Sequence, residues 1–430
     1  MIADLLIDNG LIQKIGNVNS EGNATVIDGT DKYLFPGIID AQVHFREPGL
    51  THKGDLYTES KAAVAGGVTS FIDMPNTIPN VLTIDILNAK YRIASQHSLA
   101  NFGFFLGVNG DNIDEVIKLD TSKLLGVSDD GLYFTKKGNL LADNPETMEK
   151  LFANCKSIIA IHSEKEQMIE ENEKFYREKY GENIPIEFHP LIRSEKACYE
   201  ATKRAIDLAN KYNARLHILH LSTEAETHLF RNDIPLQQKN ITTEVSVHHL
   251  WFSELDHERL GTLIKWNPAI KTEKDRLGLL KALLDDRIDI VTTDHAPHTM
   301  EEKQKPYFES MSGAPMVQHS LNIMLEFHKK GLISLEKIAE KMCHNPATLY
   351  RIEKRGFIRE GYCADLTIVD LHSSWAVGKE NIFYKCGWSP LEGTTFQTKV
   401  THTFVNGNLV YDNGQFNEGV KGKALTVAGN

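Results

Sequence analysis

Between residues 34 and 294 short apolar runs alternate with longer stretches of helical periodicity, the pattern of βα units around a parallel sheet. Eight runs stand out, at 34–44, 68–74, 102–108, 124–130, 158–162, 216–221, 241–249 and 288–294. Most are rich in β-branched or aromatic residues and too short for core helices, so each predicts a buried strand. Eight is the strand number of a (β/α)8 TIM barrel. Helices are expected over 57–65, ending at Gly66-Gly67, over 144–154 with Pro145 at its start, and over 272–286. A charged, helix-prone excursion at 163–193 reads as a long βα loop on the catalytic face of the barrel. Residues 1–33 and 355–430 change texture to short strands and tight turns, as in 364–370 and 399–407, without intervening helices. The expected organisation is a barrel over 34–354 and a small β-sandwich domain built from both chain ends.

With 430 residues the chain can bury a large core, so composition bounds partners more than fold. The net charge of -11 leaves no basic footprint for a phosphate backbone, which points to a small-molecule substrate and no nucleic acid. The first sixteen residues lack a basic segment and a long apolar run, so they do not read as a signal peptide, and no stretch reaches the length of a membrane span. Cys155, Cys198, Cys343, Cys363 and Cys386 are scattered without CxxC spacing, which argues against a disulfide framework or a thiolate zinc site. A reduced, cytoplasmic protein is the expectation.

The chemistry lies where polar residues interrupt the strand ends. Run one ends in Gln42-Val-His44, run four in Asp129-Asp130, run five in His162, run six has His220, and run eight ends in Asp294-His295. These are imidazoles and carboxylates at the face where barrels place catalysis, and strand alternation turns Gln42 and His44 the same way. Nitrogen and oxygen donors without thiolate suit Zn2+, with Mn2+, Co2+ and Fe2+ as competitors. A metal so held lowers the pKa of bound water and polarises a carbonyl. Taken singly, each His could be a hydrogen-bonded structural residue and Asp129-Asp130-Gly131 an ordinary turn; five strand ends together select the metal reading.

Pro36-Gly-Ile-Ile-Asp-Ala-Gln-Val-His-Phe-Arg-Glu-Pro-Gly49, Met74-Pro-Asn-Thr77, Ser128-Asp-Asp-Gly131, His220-Leu-Ser222 and Thr293-Asp-His-Ala-Pro-His298, in that order, resemble the bacterial type I dihydroorotases of the amidohydrolase superfamily. The resemblance runs through essentially the whole chain. It implies one metal held by His44 and Asp294, another by His162 and His220, and Asp130 as the bridge where many relatives use a carboxylated lysine. Two features depart from the pattern. Position 42 is Gln where the family carries His, so it is at most a weak ligand, and one tight Zn2+ with a weaker second is the expectation. The N-terminus also reads as one strand shorter than usual, as if trimmed.

Ligands of this kind serve hydantoinases and allantoinases as well, so the substrate must be read from the pocket. Arg46 offers a bidentate cation suited to a carboxylate, which dihydroorotate carries and hydantoin and allantoin lack. By resemblance Asn76 and His298 complete that subsite and Asn267 contacts the ring. The implied reaction is reversible hydrolysis of the cyclic amide to N-carbamoyl-aspartate in pyrimidine biosynthesis, with Asp294 cycling the proton. His248, His249 and His295 are expected to support the site rather than ligate. The alternatives are a hydantoinase or allantoinase and a catalytically silent homologue; a second copy of the chain and aspartate carbamoyltransferase are the protein partners the resemblance admits.

Overall fold

The computed structural model describes residues 2–18, 24–132, 141 and 144–428. All eight expected strands form. In chain order they are β1 (Ile38–Val43), β2 (Val68–Asp73), β3 (Asn101–Phe104, resuming at Leu106–Gly107), β4 (Gly126–Ser128), β5 (Ile158–Ile161), β6 (Leu216–Ile218), β7 (Ile241–Ser246) and β8 (Ile290–Thr292). Each pairs in parallel with the next. The ring closes where Val43 bridges His295 and the His44 amide donates to the His295 carbonyl at 2.8 Å. The fold is a TIM barrel with a separate antiparallel sheet system.

Inside the barrel Ile39, Ala41, Ile72, Met74, Phe105, Ile158, Ala160 and Ile290 form one cluster, closed at one end by Tyr350. A larger cluster fills the layer between strands and helices. The helices begin where the sequence supplies side-chain acceptors. Thr272 and Asp275 form a capping box for Glu273–Leu284, and Asn144 caps Pro145–Asn154. The excursion contains the helix Glu166–Tyr180, whose Ile169 packs with Ile184, Ile192 and Tyr307.

Two expectations are corrected. The apolar run 34–44 is two strands in different sheets: Tyr33–Pro36 pairs antiparallel with Leu366–Asp370 in a five-stranded sheet, and only from Ile38 does the chain enter the barrel. Gly37 makes the crossing, because a Cβ there would lie 2.1 Å from Thr69 Oγ1. The run 241–249 also stops being a strand at Ser246, and His248 and His249 lie on the helical turn Val247–Trp251. Asp4–Asp8 and Leu11–Gly16 form a separate two-stranded sheet. No helix among the described residues is long and apolar enough to cross a membrane.

Candidate metal centre

The strand ends bring Gln42, His44, Asp130, His162, His220 and Asp294 into one buried cluster at the barrel mouth. The register of β1 slips between Asp40 and Val43, an irregularity that re-aims side chains near functional sites. Two overlapping groups of donor atoms lie within 4.8 Å of one another: Asp130, His162 and His220, and His44, Asp130 and Asp294. In the first, His162 Nδ1 is 3.0 Å from His220 Nε2, and Asp130 Oδ1 is 3.7 and 3.9 Å from these nitrogens. In the second, His44 Nε2 is 3.0 Å from Asp294 Oδ1 and 3.3 Å from Asp130 Oδ2.

Nitrogen and oxygen ligands about 2.0–2.1 Å from a tetrahedral zinc stand about 3.3–3.4 Å apart, so the first group fits such an ion with small adjustments. Electrostatics agree. Burial alone would lower the pKa of the His44 imidazole, yet hydrogen bonds and charge from Asp130 and Asp294 outweigh it and push it up to about 10. His162, likewise opposed by burial, is pushed up to about 9 by Asp130 and Glu164. The cluster therefore demands positive charge, which a divalent cation supplies once the imidazoles are neutral. The second group, also of three donors at comparable spacing, differs in one respect: the Asp130 oxygen facing it already accepts from Gln42 Nε2 at 3.1 Å.

Two of the three imidazoles, His44 and His162, are oriented from behind. Asn76 Oδ1 lies 2.7 Å from His44 Nδ1, leaving Nε2 to face the cluster. Glu164 Oε2 lies 2.8 Å from His162 Nε2, so this ring presents Nδ1. Glu164 is fully buried and pairs with Arg193 from the excursion. Sequence reading missed both; the spacing of Glu164 two residues beyond His162 was the available signal. Asp129 is structural, accepting the His162 amide at 3.0 Å and the Leu141 amide at 2.7 Å. His295 turns away, its Nε2 2.8 Å from Glu59 and its Nδ1 accepting the Met316 amide at 3.0 Å. Three of the site residues, Arg46, His220 and Asp294, hold left-handed backbone at φ 71°, 36° and 46°, strain of the kind that gathers where function fixes geometry.

Beside the cluster opens a small cavity lined by His44, Arg46, Asn76, Asp130, Asn267 and Asp294, with Trp266, Ala296, Ser312 and Gly313 completing the wall. Four of the five residues expected to handle substrate line it. His298 does not: it lies behind Arg46, 3.1 Å from its Nη2, with Lys53 Nζ at 3.0 Å on the other ring nitrogen. Burial and the neighbouring Arg46 hold that imidazole neutral, its pKa well below the usual value. Arg46 also donates from Nε to the Pro297 carbonyl at 3.1 Å. It is 5% exposed, and among the described residues no carboxylate lies within ion-pair distance of it. Asn76 packs on Gly131, where a Cβ would come within 2.0 Å of its amide nitrogen at a backbone φ of +70°. Lys303 knits the opposite wall, donating to the carbonyls of Lys265, Met311 and Gly313. On that wall Trp266 Nε1 and Asn267 Oδ1 are buried with no hydrogen-bond partner among the described residues.

Comparison with known proteins gives a consistent picture. Residues 33–410 match the profile described as "Amidohydrolase family". The dihydroorotase of Methanosarcina acetivorans is 33% identical over 403 residues, covering 91% of this chain and 85% of its own length. That of Pyrococcus abyssi is 31% identical over 427 residues, covering 98% and 94%. Among solved structures, the L-hydantoinase (dihydropyrimidinase) from Arthrobacter aurescens superposes with a TM-score of 0.89 at 26% identity, covering 99% of this chain and 96% of the other. A match over this span, joined to the buried His and Asp cluster at the barrel mouth, shows that the chain belongs to the amidohydrolase family.

Proposed function

We propose that the chain is a dihydroorotase, catalysing reversible hydrolysis of the cyclic amide of dihydroorotate to N-carbamoyl-aspartate. The observation that carries this reading is Arg46. A buried guanidinium without a carboxylate partner is costly unless a ligand brings the anion. Dihydroorotate brings a ring carboxylate into direct contact; a hydantoin or allantoin ring leaves the guanidinium only the longer-range charge of Asp294, Asp73, Glu302 and Asp130. Asn76 shares the carboxylate, and His298 acts from behind by holding Arg46 in place. The unpartnered Trp266 Nε1 and Asn267 Oδ1 suit a ring that offers both a C=O and an N–H.

Zinc held by Asp130, His162 and His220 would supply the Lewis acidity that polarises the ring carbonyl and activates water. The chain's own groups do the rest. Arg46 and Asn76 fix the ring by its carboxylate, so the amide carbon meets the attacking oxygen in one orientation. A carboxylate oxygen of Asp294 takes the proton from the attacking water and returns it to the departing ring nitrogen as the C–O bond forms and the C–N bond breaks. In the biosynthetic direction Asp294 begins protonated and the same steps reverse.

Turnover of dihydroorotate, hydantoin, dihydrouracil and allantoin by the purified chain tests the reading. Dihydroorotate is expected to be the preferred substrate. Activity confined to the carboxylate-free rings would establish a hydantoinase or allantoinase, and no activity on any would favour the silent homologue. The reading extends to the type I subtype, to a division close to the expected 34–354 and 1–33 with 355–430 but with Tyr33–Pro36 belonging to the domain of the chain ends, and to a cytoplasmic setting. It also extends to self-association or binding of aspartate carbamoyltransferase, which sedimentation of the chain alone and mixed with that enzyme would test.

A further inference from the structure

We infer that Gln42 confines this centre to a single tightly held metal ion, by occupying the carboxylate oxygen through which a second ion would be shared. The inference rests on the metal reading above and not on the identity of the substrate.

The two oxygens of Asp130 face different ways. Oδ1 looks toward His162 Nδ1 and His220 Nε2. Oδ2 looks toward His44 Nε2 at 3.3 Å and accepts from Gln42 Nε2 at 3.1 Å. A carboxylate oxygen has two lone pairs, and Oδ2 meets a nitrogen with each. The orientation of the amide follows from the same contact: with Oε1 in place of Nε2, two acceptors would face each other at 3.1 Å. Gln42 is fully buried, and its Oε1 has no hydrogen-bond partner among the described residues. A second ion among His44, Asp130 and Asp294 therefore has to displace the Gln42 hydrogen bond. It would gain at best a neutral amide oxygen, a poorer zinc ligand than imidazole. His44 and Asp294, 3.0 Å apart, stay bonded to each other. Asp130 then serves the His162 and His220 site as a terminal ligand rather than a bridge, and Asp294 carries its proton free of a metal bond.

The test is metal binding, read independently of activity. The full chain is stripped with a chelator and titrated with Zn2+ in competition with a chromophoric chelator, and a parallel sample loaded with Co2+ is examined by electron paramagnetic resonance. Expected for the wild type is one Zn2+ per chain, any second ion at least tenfold weaker, and an uncoupled Co2+ signal. For Gln42→His the expectation is two ions per chain and a magnetically coupled Co2+ pair. Two ions of equal affinity in the wild type, or a coupled pair at two equivalents of Co2+, would overturn the inference while leaving the metal reading intact. No bound metal would overturn both. If Gln42→His fails to fold, the wild-type titration and spectrum decide alone.

Discussion

Replacing Arg46 by alanine probes the step on which the substrate assignment turns. The side chain is expected to make a charge-assisted contact with the ring carboxylate, worth about 1.5–3 kcal/mol. At about 1.4 kcal/mol per decade this is a loss of roughly 10- to 150-fold in kcat/KM. Truncation has a second effect, because Arg46 also donates to the Pro297 carbonyl and meets His298. Losing these leaves buried acceptors unpaired, at a stability cost of about 1–3 kcal/mol. The two effects separate by assay. Steady-state kinetics with dihydroorotate and N-carbamoyl-aspartate report the first, and a melting curve reports the second. Zinc content is expected to stay at the wild-type level, since Arg46 is not among the donor groups. Arg46→Lys restores charge but not the fork, so partial recovery is expected. Kinetics of Arg46→Ala within about twofold of the wild type would refute the reasoning, since no charge-assisted contact is that weak in a buried site.

Three further outcomes are expected. Asp294→Asn should lower kcat by about 10²–10⁴ while substrate still binds, because the amide keeps the shape but cannot cycle a proton; single-turnover and binding measurements check it, and unchanged turnover would remove the assigned role. Glu164→Gln should weaken zinc binding by about 10- to 100-fold, read by chelator competition, because the His162 ring loses the carboxylate that orients it. His319 lies away from the metal cluster, its Nδ1 3.0 Å from the Tyr384 hydroxyl, and burial lowers its pKa to about 3. Its unfolded form takes up a proton below about 6.5 that the folded form refuses until about 3, so stability is full above the unfolded value and falls with pH through that window by about 1.4 kcal/mol per pH unit. Melting of His319→Gln against pH should show a shallower acid slope, and an unchanged slope would place the acid sensitivity elsewhere.

The barrel was legible because each strand is apolar, short and separated by helical periodicity, and the candidate metal donors stood out as His and Asp residues at several strand ends together. What stayed hidden depends on contacts distant in sequence. The split at Gly37 is marked only by the Pro36-Gly37 pair, since Tyr33–Pro36 and Ile38–Val43 are equally strand-like and only their partners differ. Glu164 is one acid at the start of a charged excursion, and only its spacing two residues beyond His162 tells it apart from the acids that follow it; its partner Arg193 is supplied from the other end of that excursion. His298 was assigned to the carboxylate subsite by resemblance, whereas here it contacts Arg46 and is not among the residues lining the cavity. The relevance of Gln42 was visible as a departure from a pattern, but its use of the amide nitrogen toward Asp130 required geometry.

The crossing at Gly37 also bears on how the chain is made. Tyr33–Pro36 leads directly into the strand that carries Gln42 and His44, yet its sheet neighbour is Leu366–Asp370, on the far side of the entire barrel sequence. During synthesis the first of these segments leaves the ribosome long before the second, so it emerges as an unpaired strand edge. Closing that pairing spans nearly the whole polypeptide, the kind of non-local contact that forms late. The strand holding two members of the candidate metal centre is thus anchored at its upstream end only when the C-terminal segment arrives. A chain truncated before residue 366 is expected to expose this edge and to self-associate through it.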